Sequence, residues 1–257
     1  MLRVEGLTVG YGAEPVIEGL DLALAGGEIA CLVGPSGSGK STLLRSIADL
    51  HVPDAGRVER TVAADEIGFL FQDDALLPWR TAAENVALGL RIRGHDKGEA
   101  LDAAESWLAR VGVGGLGRRY PRQLSGGQRK RVAIAQVLAL SPRVLLMDEP
   151  FASLDAIVRH RVVGDLLGWV EAQGIAVLLV THDLEEAIAL ADRVHLLPAG
   201  PRAAVHASYD VPIARPRDPV AARAQPVFGE LLTRLWRDLG EVSAPADERR
   251  HDGELVT

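Results

Sequence analysis

The sequence predicts an α/β protein with a doubly wound parallel core, an antiparallel β region at the N-terminus and an inserted helical region. Two short apolar runs, 144–147 and 176–180, are flanked by polar turns, as is typical of parallel strands covered on both faces. A third run, 28–33, leads into a glycine-rich loop, after which residues 41–47 have the apolar spacing of a helix. These runs indicate strands that alternate with helices around one sheet.

The N-terminal region has the pattern of half-buried strands. Residues 2–11 alternate between apolar and polar side chains with a period close to two, and residues 16–24 follow with a similar pattern. We therefore expect an antiparallel β-hairpin. Residues 67–72 form a further predicted strand in the second quarter of the chain.

The helical region is predicted as an insertion that covers about residues 73–128. Apolar residues recur at helical spacing over 82–92, 99–111 and 128–140. Near the C-terminus, residues 228–236 carry apolar side chains on one face of a predicted helix. That helix would either pack on the core or dock on a partner, and the sequence leaves both open.

Composition limits the class of protein. The chain of 257 residues is 47% hydrophobic and 25% charged, which is typical of a globular protein and excludes the disordered and fibrous classes. Without an internal repeat, one domain is expected over 1–240, and the polar, aperiodic stretch 241–257 is predicted to be disordered. The single cysteine, Cys31, lies in an apolar run and is expected to be an inert core thiol.

Charge and hydropathy limit the partners. The net charge of −7 argues against nucleic acid as a partner and against a polybasic membrane anchor. No run of eighteen consecutive apolar residues is present, and the first residues lack the apolar core of a signal peptide. We expect a cytoplasmic protein that reaches a membrane only through a protein partner.

The glycine-rich loop has the composition of a phosphate cradle. It reads Gly34-Pro35-Ser36-Gly37-Ser38-Gly39-Lys40-Ser41-Thr42. Its glycines let successive backbone N–H groups point at a polyanion, and the following helix adds its positive N-terminal end. Lys40 can reach the β- and γ-phosphates of a nucleotide, and the Ser41 hydroxyl can ligate Mg²⁺. A glycine turn with a surface lysine is the alternative, which the preceding strand and following helix disfavour.

Two carboxylates follow the apolar run 144–147. Asp148 suits an outer-sphere partner of Mg²⁺, and Glu149 suits the group that polarises the attacking water. Paired acids after a strand are ordinarily a solvated turn, but the phosphate loop upstream disfavours that interpretation here. The pair is therefore a candidate for the hydrolytic centre.

A second glycine motif opens the predicted helix 128–140. It reads Leu124-Ser125-Gly126-Gly127-Gln128. Ser125 offers an N-terminal hydroxyl, the two glycines let backbone N–H groups approach a phosphate, and the helix dipole favours its charge. This motif, about ninety positions after the phosphate loop, resembles the signature of the ATP-binding cassette (ABC) ATPases. We name residues 124–128 the signature motif.

The resemblance implies an ATP-hydrolysing P-loop core that works as a head-to-tail homodimer. In that family each ATP, with Mg²⁺, lies between one phosphate loop and the other subunit's signature motif, here Ser125 and Gly127. The residue matching His182 contacts the γ-phosphate, and the one matching Gln72 senses Mg²⁺ and the attacking water. Tyr11 matches an aromatic ring that stacks on adenine, for which a core tyrosine is the alternative. Asp155 matches a segment that crosses the subunit boundary.

Two further stretches indicate a subgroup. Residues 73–86, with Leu76-Leu77-Pro78-Trp79, are similar to the nitrate/sulfonate/taurine importer ATPases, and residues 211–218 are similar to that subgroup's Pro-Arg-Pro-Arg stretch. The resemblance implies the energy-coupling subunit of a bacterial importer. It would bind integral membrane permease subunits at the cytoplasmic face and be supplied indirectly by a solute-binding protein. The alternative is a non-transport cassette ATPase acting on a soluble partner.

Overall fold

The computed structural model describes residues 1–12, 14–152 and 154–243. They form two compact units. The first unit comprises Met1–Leu2, Leu24–Ile29 and Arg60–Leu179, and the second comprises Arg3–Ala23, Ala30–Glu59 and the chain from Val180 onward. Ser153 and most of the tail that was predicted to be disordered, 244–257, lie outside the described residues.

Strands and helices alternate along most of the chain. The strands are β1 (Leu2–Gly10), β2 (Pro15–Leu24), β3 (Ile29–Val33), β4 (Ala55–Arg60), β5 (Ile67–Leu70), β6 (Val144–Asp148), β7 (Ala176–Thr181), β8 (Arg193–Leu196) and β9 (Ala207–Asp210). The α-helices are α1 (Lys40–Ile47), α2 (Ala82–Ile92), α3 (Lys97–Arg110), α4 (Gly126–Leu138), α5 (Ala156–Gln173), α6 (Leu184–Leu190), α7 (Pro219–Arg223) and α8 (Pro226–Ser243). The α/β fold with an N-terminal β subdomain is confirmed.

The second unit contains two groups of strands. Strands β2, β1 and β4 form a three-stranded sheet in that order, so the predicted hairpin has a third strand beside it. In the other group β3 lies parallel to β8, with Cys31 opposite Val194, and β8 lies antiparallel to β9. Cys31 is fully buried there, which raises the pKa of its thiol well above the usual value and confirms the expected core cysteine.

The first unit contains the strand that ends in the acidic pair and the helices α2 to α5. Strand β5 lies parallel to β6, with Ile67 opposite Val144, and every residue of β6 and β7 is buried. Such runs have no exposed face, which explains why they are continuously apolar. The unit thereby carries the carboxyl end of β6, where the predicted acidic pair begins.

Helix boundaries in the first unit follow from local caps. Helix α2 has the predicted bounds because Thr81 and Glu84 form a capping box, in which the Thr81 hydroxyl accepts from the Glu84 amide at 3.3 Å. Helix α3 begins earlier than predicted because the Asp96 carboxylate caps it at the Gly98 amide, 2.7 Å away. Helix α4 packs against both α2 and α3, so the helical region continues past residue 128.

The C-terminal segment of the second unit is fixed by a buried arginine. Arg217 donates from Nε to the Ile213 carbonyl at 2.8 Å and from Nη1 to the Leu190 carbonyl, at the end of α6, at 3.1 Å. Its Nη2 pairs with Asp192 at 3.0 Å. The arginines of the stretch 211–218 therefore attach the chain after β9 to the end of α6.

Helix α8 closes the described chain. Phe228, Leu231 and Leu235 lie buried on its inner face, and the helix packs against α6 and α7. It extends to Ser243, three residues past the domain end expected at 240. Among the described residues, none of the helices combines the length and apolar character needed to cross a bilayer.

Candidate functional site

The phosphate loop joins β3 to α1 in the second unit. Gly39 has φ 90°, and a Cβ placed on it would lie 2.7 Å from Cγ1 of Ile17. A Cβ on Gly34 would collide with the carbonyl oxygen of Leu197. Both positions therefore require glycine, one for its left-handed conformation and one for close backbone approach. The sequence-predicted loop, 34–42, is held by this packing against β2 and the chain after β8.

Lys40 is the first residue of α1 and lies buried in the loop. Its Nζ donates to the carbonyl oxygens of Gly34 and Pro35, both at 2.7 Å. The first turn of α1 has no acidic residue, so the ammonium group adds to the positive end of the helix. Ser41 and Thr42 follow in the same turn. The loop thus concentrates positive charge and amide donors where a polyphosphate would bind.

Tyr11 lies beside the phosphate-loop helix and is 63% exposed, so the core-tyrosine alternative is wrong. Its pKa lies below the usual value because the Thr42 hydroxyl bonds to the phenolic oxygen, with a further contribution from Arg45. The ring packs against His51, with 4.7 Å between the ring centroids. The structure therefore brings the predicted base-stacking residue to the helix that follows the phosphate loop.

His182 occupies a tight turn between β7 and α6. The Asp183 amide donates to the Thr181 hydroxyl at 3.1 Å, and the Asp183 carboxylate accepts from the Glu185 amide at 3.0 Å. These bonds fix the backbone on the C-terminal side of His182, while its side chain is exposed. The turn is suited to present an imidazole outward.

The acidic pair stands at the carboxyl end of β6 in the first unit. Asp148 is 5% exposed and ends the buried strand, whereas Glu149 is half-buried. Glu149 has φ 41°, a left-handed conformation that is uncommon outside glycine and costs free energy. Strain of this kind clusters at functional sites, because the surrounding structure must hold it. The backbone therefore leaves the extended conformation at Glu149, where β6 ends.

Gln72 is exposed, and its backbone is tied to α4. The Nζ of Lys130 donates to the carbonyl oxygens of Phe71 and Gln72, at 3.4 and 3.1 Å. It also forms an ion pair with Asp74 at 2.8 Å. Sequence reasoning missed Lys130 and Asp74. The available signal was a lysine four residues before Ile134, on the apolar stripe of α4.

The signature motif begins α4. The Ser125 hydroxyl accepts from the Gln128 amide at 3.3 Å, and the Gln128 side chain accepts from the Ser125 amide at 2.9 Å. This capping box starts the helix at Gly126, two residues earlier than predicted. Asp155 caps α5 in the same unit through the Val158 amide, at 3.0 Å. Both predicted residues therefore stand at helix N-termini.

A cavity of about 500 Å³ lies beside Gln72. Its lining comprises Gln72, Asp73, Asp74, Ala75, Leu76, Pro121, Arg129 and Ala152. Trp79, a few residues further along, is 71% exposed. The loop after β5 thus presents polar and apolar groups around a concave surface.

The predicted site residues divide between the two units. The first unit holds Gln72, Asp148, Glu149, Asp155 and the signature motif, and the second holds Tyr11, His182 and the phosphate loop. Within the first unit, Lys130 joins the Gln72 backbone to the helix of the signature motif. Within the second, Tyr11 adjoins Thr42.

Comparison with known proteins identifies the family of the chain. Residues 17–152 match the family model described as ABC transporter. The chain is 48% identical over 202 residues to the sulfate/thiosulfate import ATP-binding protein CysA of Caulobacter vibrioides, covering 74% of this chain and 60% of that protein. It is 42% identical over 247 residues to the aliphatic sulfonates import ATP-binding protein SsuB 2 of Mesorhizobium japonicum, covering 95% of this chain and 94% of that protein.

A solved structure shares the fold. The dimeric, post-hydrolysis state of the ATP-binding cassette MJ0796, bound to ADP and Pi, aligns with a TM-score of 0.73 at 31% identity, covering 83% of this chain and 100% of that one. The residues matched by the family model, 17–152, include the phosphate loop, the signature motif and the acidic pair. On these grounds the chain belongs to the ABC transporter family, as an ATP-binding cassette with ATPase activity.

Proposed function

We propose that this chain is the energy-coupling ATPase subunit of an importer for a small oxyanion-bearing solute such as a sulfonate, taurine or nitrate. The observation that carries the ATPase part is the phosphate loop, where two sterically required glycines and the buried Lys40 surround the N-terminus of α1. The import part is supported by the near full-length similarity to an aliphatic sulfonate import protein. The proposed class of solute rests on that relative and on the similarity of residues 73–86 to the nitrate/sulfonate/taurine importer ATPases.

Hydrolysis is assigned to side chains with distinct roles. Glu149 polarises the attacking water, His182 contacts the γ-phosphate, and Gln72 senses Mg²⁺ and the attacking water. Mg²⁺ would be held by the Ser41 hydroxyl and the Gln72 carboxamide, with the Asp148 carboxylate as its outer-sphere partner, because this hard cation prefers oxygen groups. Asp148 is suited to an outer-sphere position, since it is nearly buried at the strand end. The cation would neutralise charge on the β- and γ-phosphates.

The catalytic unit is proposed to be a head-to-tail homodimer. Ser125, Gly126 and Gly127 stand at the first turn of α4, where amide donors and the helix dipole favour phosphate. In the proposed dimer they close over the nucleotide that the partner's phosphate loop holds, and Asp155 lies at the subunit boundary. The dimeric cassette of known structure supports this arrangement.

Membrane permease subunits are the proposed partners of the concave surface beside Gln72. The cavity of about 500 Å³ there and the exposed Trp79 could accept an apolar segment of a partner. The chain would then act at the cytoplasmic face of the membrane, with a solute-binding protein delivering cargo on the other side.

Growth of a deletion strain tests the proposal. The strain is grown with taurine, an alkanesulfonate, sulfate or nitrate as sole sulfur or nitrogen source, and is complemented with the wild type or with Glu149→Gln. We expect loss of growth on one source, restored only by the wild type. Unchanged growth on every source, with ATPase activity of the purified chain present, would favour the alternative of a soluble partner.

A further inference from the structure

We propose that Lys130 is a positioning residue that fixes the Gln72 loop to the helix of the signature motif, α4. The inference rests on the proposed role of Gln72 at Mg²⁺. Lys130 lies outside both the phosphate loop and the signature motif. If Lys130 holds Gln72 in place, replacing Lys130 should raise the Mg²⁺ concentration that hydrolysis requires.

The Lys130 ammonium group is surrounded by oxygen atoms of one loop. Its side chain is fully buried, with Nζ 3.4 Å from the Phe71 carbonyl oxygen, 3.1 Å from that of Gln72 and 2.8 Å from Asp74 Oδ1. An ammonium group has three N–H donors, and here it donates to two carbonyl oxygens and forms an ion pair with the Asp74 carboxylate. All three oxygen atoms lie within four consecutive residues, 71–74. The ammonium group therefore binds this loop as a unit.

Packing alone does not explain a lysine at this position. Its neighbours on the same stripe of α4, Ile134 and Leu138, are 2% and 1% exposed, so the position lies on an apolar face. A buried ammonium group is unfavourable unless it is paired and hydrogen-bonded. Methionine would fill similar space without that requirement. The lysine is accounted for by the three oxygens it holds.

A neighbouring arginine reinforces the contact. The Nε of Arg129 lies 3.5 Å from Asp74 Oδ2, and its Nη1 donates to the Leu124 carbonyl at 2.8 Å. Asp74 thus contacts two successive cations of α4, and one of these also binds the residue that opens the signature motif. The loop after β5 and the first turns of α4 form one connected polar network.

This network constrains the backbone of Gln72 and leaves its side chain exposed. Residues that orient a metal ligand commonly change metal affinity when they are replaced, because the ligand loses its fixed position. In the proposed dimer, α4 completes the partner's nucleotide site while Gln72 serves its own. Lys130 therefore links the Mg²⁺ environment of one site to the helix that closes the other.

The test compares Lys130→Met with Arg131→Met in the full chain. Arg131 is the next residue of α4 and is mostly buried, but it bonds to Val111 and Asp165 rather than to the Gln72 loop. We measure kcat, the KM for ATP, the affinity of the ADP-bound chain for Mg²⁺ by titration calorimetry, and the Mg²⁺ concentration for half-maximal hydrolysis. Lys130→Met should raise that Mg²⁺ concentration by roughly tenfold. Arg131→Met should leave it unchanged, whatever its effect on the thermal midpoint.

Two further variants keep the outcome decisive. Lys130→Met/Asp74→Asn removes both charges of the ion pair, so it should fold even if the single variant does not, and it should show the same Mg²⁺ shift. Asp74→Asn alone should give a smaller shift, since the two backbone acceptors remain. Equal Mg²⁺ dependence in wild type, Lys130→Met and the double variant would overturn the positioning role.

Gln72→Ala separates this inference from the proposed function. If Gln72→Ala shifts the Mg²⁺ dependence and the Lys130 variants do not, only the positioning role fails. If Gln72→Ala leaves the dependence unchanged, the role of Gln72 at Mg²⁺ fails and the positioning role fails with it. A shift in both sets of variants supports both.

Discussion

Val158 packs on Gly127 so closely that a Cβ on the glycine would lie 2.5 Å from Val158 Cγ1. The contact joins the signature motif to the first turn of α5, which Asp155 caps. Close packing explains why this position of an α-helix holds a residue that weakens helices. The second glycine of the motif is thus fixed by sterics within one subunit, independently of any phosphate.

Gly127→Ala should therefore destabilise the chain, by about 1–2 kcal/mol, because the new methyl group forces Val158 to move. Gly168→Ala is the matched control. It lies in α5 with nothing within 4 Å of an added Cβ, and alanine there should stabilise the helix by about 0.5–1 kcal/mol. Urea denaturation of both variants measures the difference. Equal stability of the two would contradict the packing argument.

Glu149→Gln should leave ATP binding nearly intact while slowing hydrolysis by about a hundredfold or more, because the base is lost and the phosphate loop is kept. Glutamine retains the side-chain length and the positive φ, so the backbone strain is unchanged. Single-turnover hydrolysis and equilibrium nucleotide binding give the two readouts. A wild-type rate would remove Glu149 from the catalytic role.

Lys40→Ala should weaken binding of Mg·ATP by at least about tenfold, since it deletes the buried cation at the N-terminus of α1. Isothermal titration measures the change in Kd. Lys97→Ala, which removes an exposed lysine at the start of α3, provides the control and should bind as the wild type does. Wild-type affinity in Lys40→Ala would contradict the phosphate-loop assignment.

An ATP-promoted intersubunit disulfide should form between one chain carrying Ser36→Cys and another carrying Gly126→Cys, both in a Cys31→Ser background. Ser36 is exposed in the phosphate loop, and a Cβ on Gly126 meets only the Arg129 side chain, at 3.8 Å. Neither substitution strains the fold. The head-to-tail arrangement predicts the link because each loop faces the partner's signature motif.

Tagging one chain makes the cross-linked heterodimer visible by its mass. Gly168→Cys, exposed on α5, replaces Gly126→Cys in the control and should give no ATP-promoted link. A chain carrying both cysteines that links only within itself would overturn the proposed dimer.

Acid should destabilise the second unit through His195. Burial, with the nearby Arg193, lowers the pKa of this histidine to about 4. As the pH falls, the unfolded chain therefore takes up a proton on His195 at a higher pH than the folded chain does. The contribution of the neutral histidine to the free energy of unfolding is complete above about pH 6.5 and is lost as the pH falls toward 4. The loss amounts to about 3 kcal/mol. His195→Gln should lack it, which urea denaturation at several pH values tests, and parallel pH curves for the two proteins would contradict it.

The sequence predicted best what depends on consecutive residues. The phosphate loop is one unbroken segment, and its conformation follows from glycines that permit a φ of 90° at position 39. Helix α2 was predicted to its ends because Thr81 and Glu84 form a local capping box. These signals need no knowledge of the tertiary fold.

Other features depend on contacts between distant segments. Helix α5 was missed because β-branched residues and two glycines interrupt its apolar pattern, and packing overrides those propensities. Strand β4 is exposed along most of its length, so it lacks alternation. The Lys130–Gln72 contact spans 58 positions and depends on how α4 lies against the loop after β5.

The attachment of the stretch 211–218 to the end of α6 sets a limit on where the chain can be shortened. Arg217 binds carbonyl oxygens at the end of α6, and Arg223 pairs with Glu185 in the first turn of that helix at 3.1 Å. His182 immediately precedes Asp183, the residue that caps the N-terminus of α6. A truncated protein or a chimera that ends before Arg217 would therefore lose the contacts at both ends of α6, next to His182, the proposed γ-phosphate contact. A protein that ends after α7 would keep these contacts.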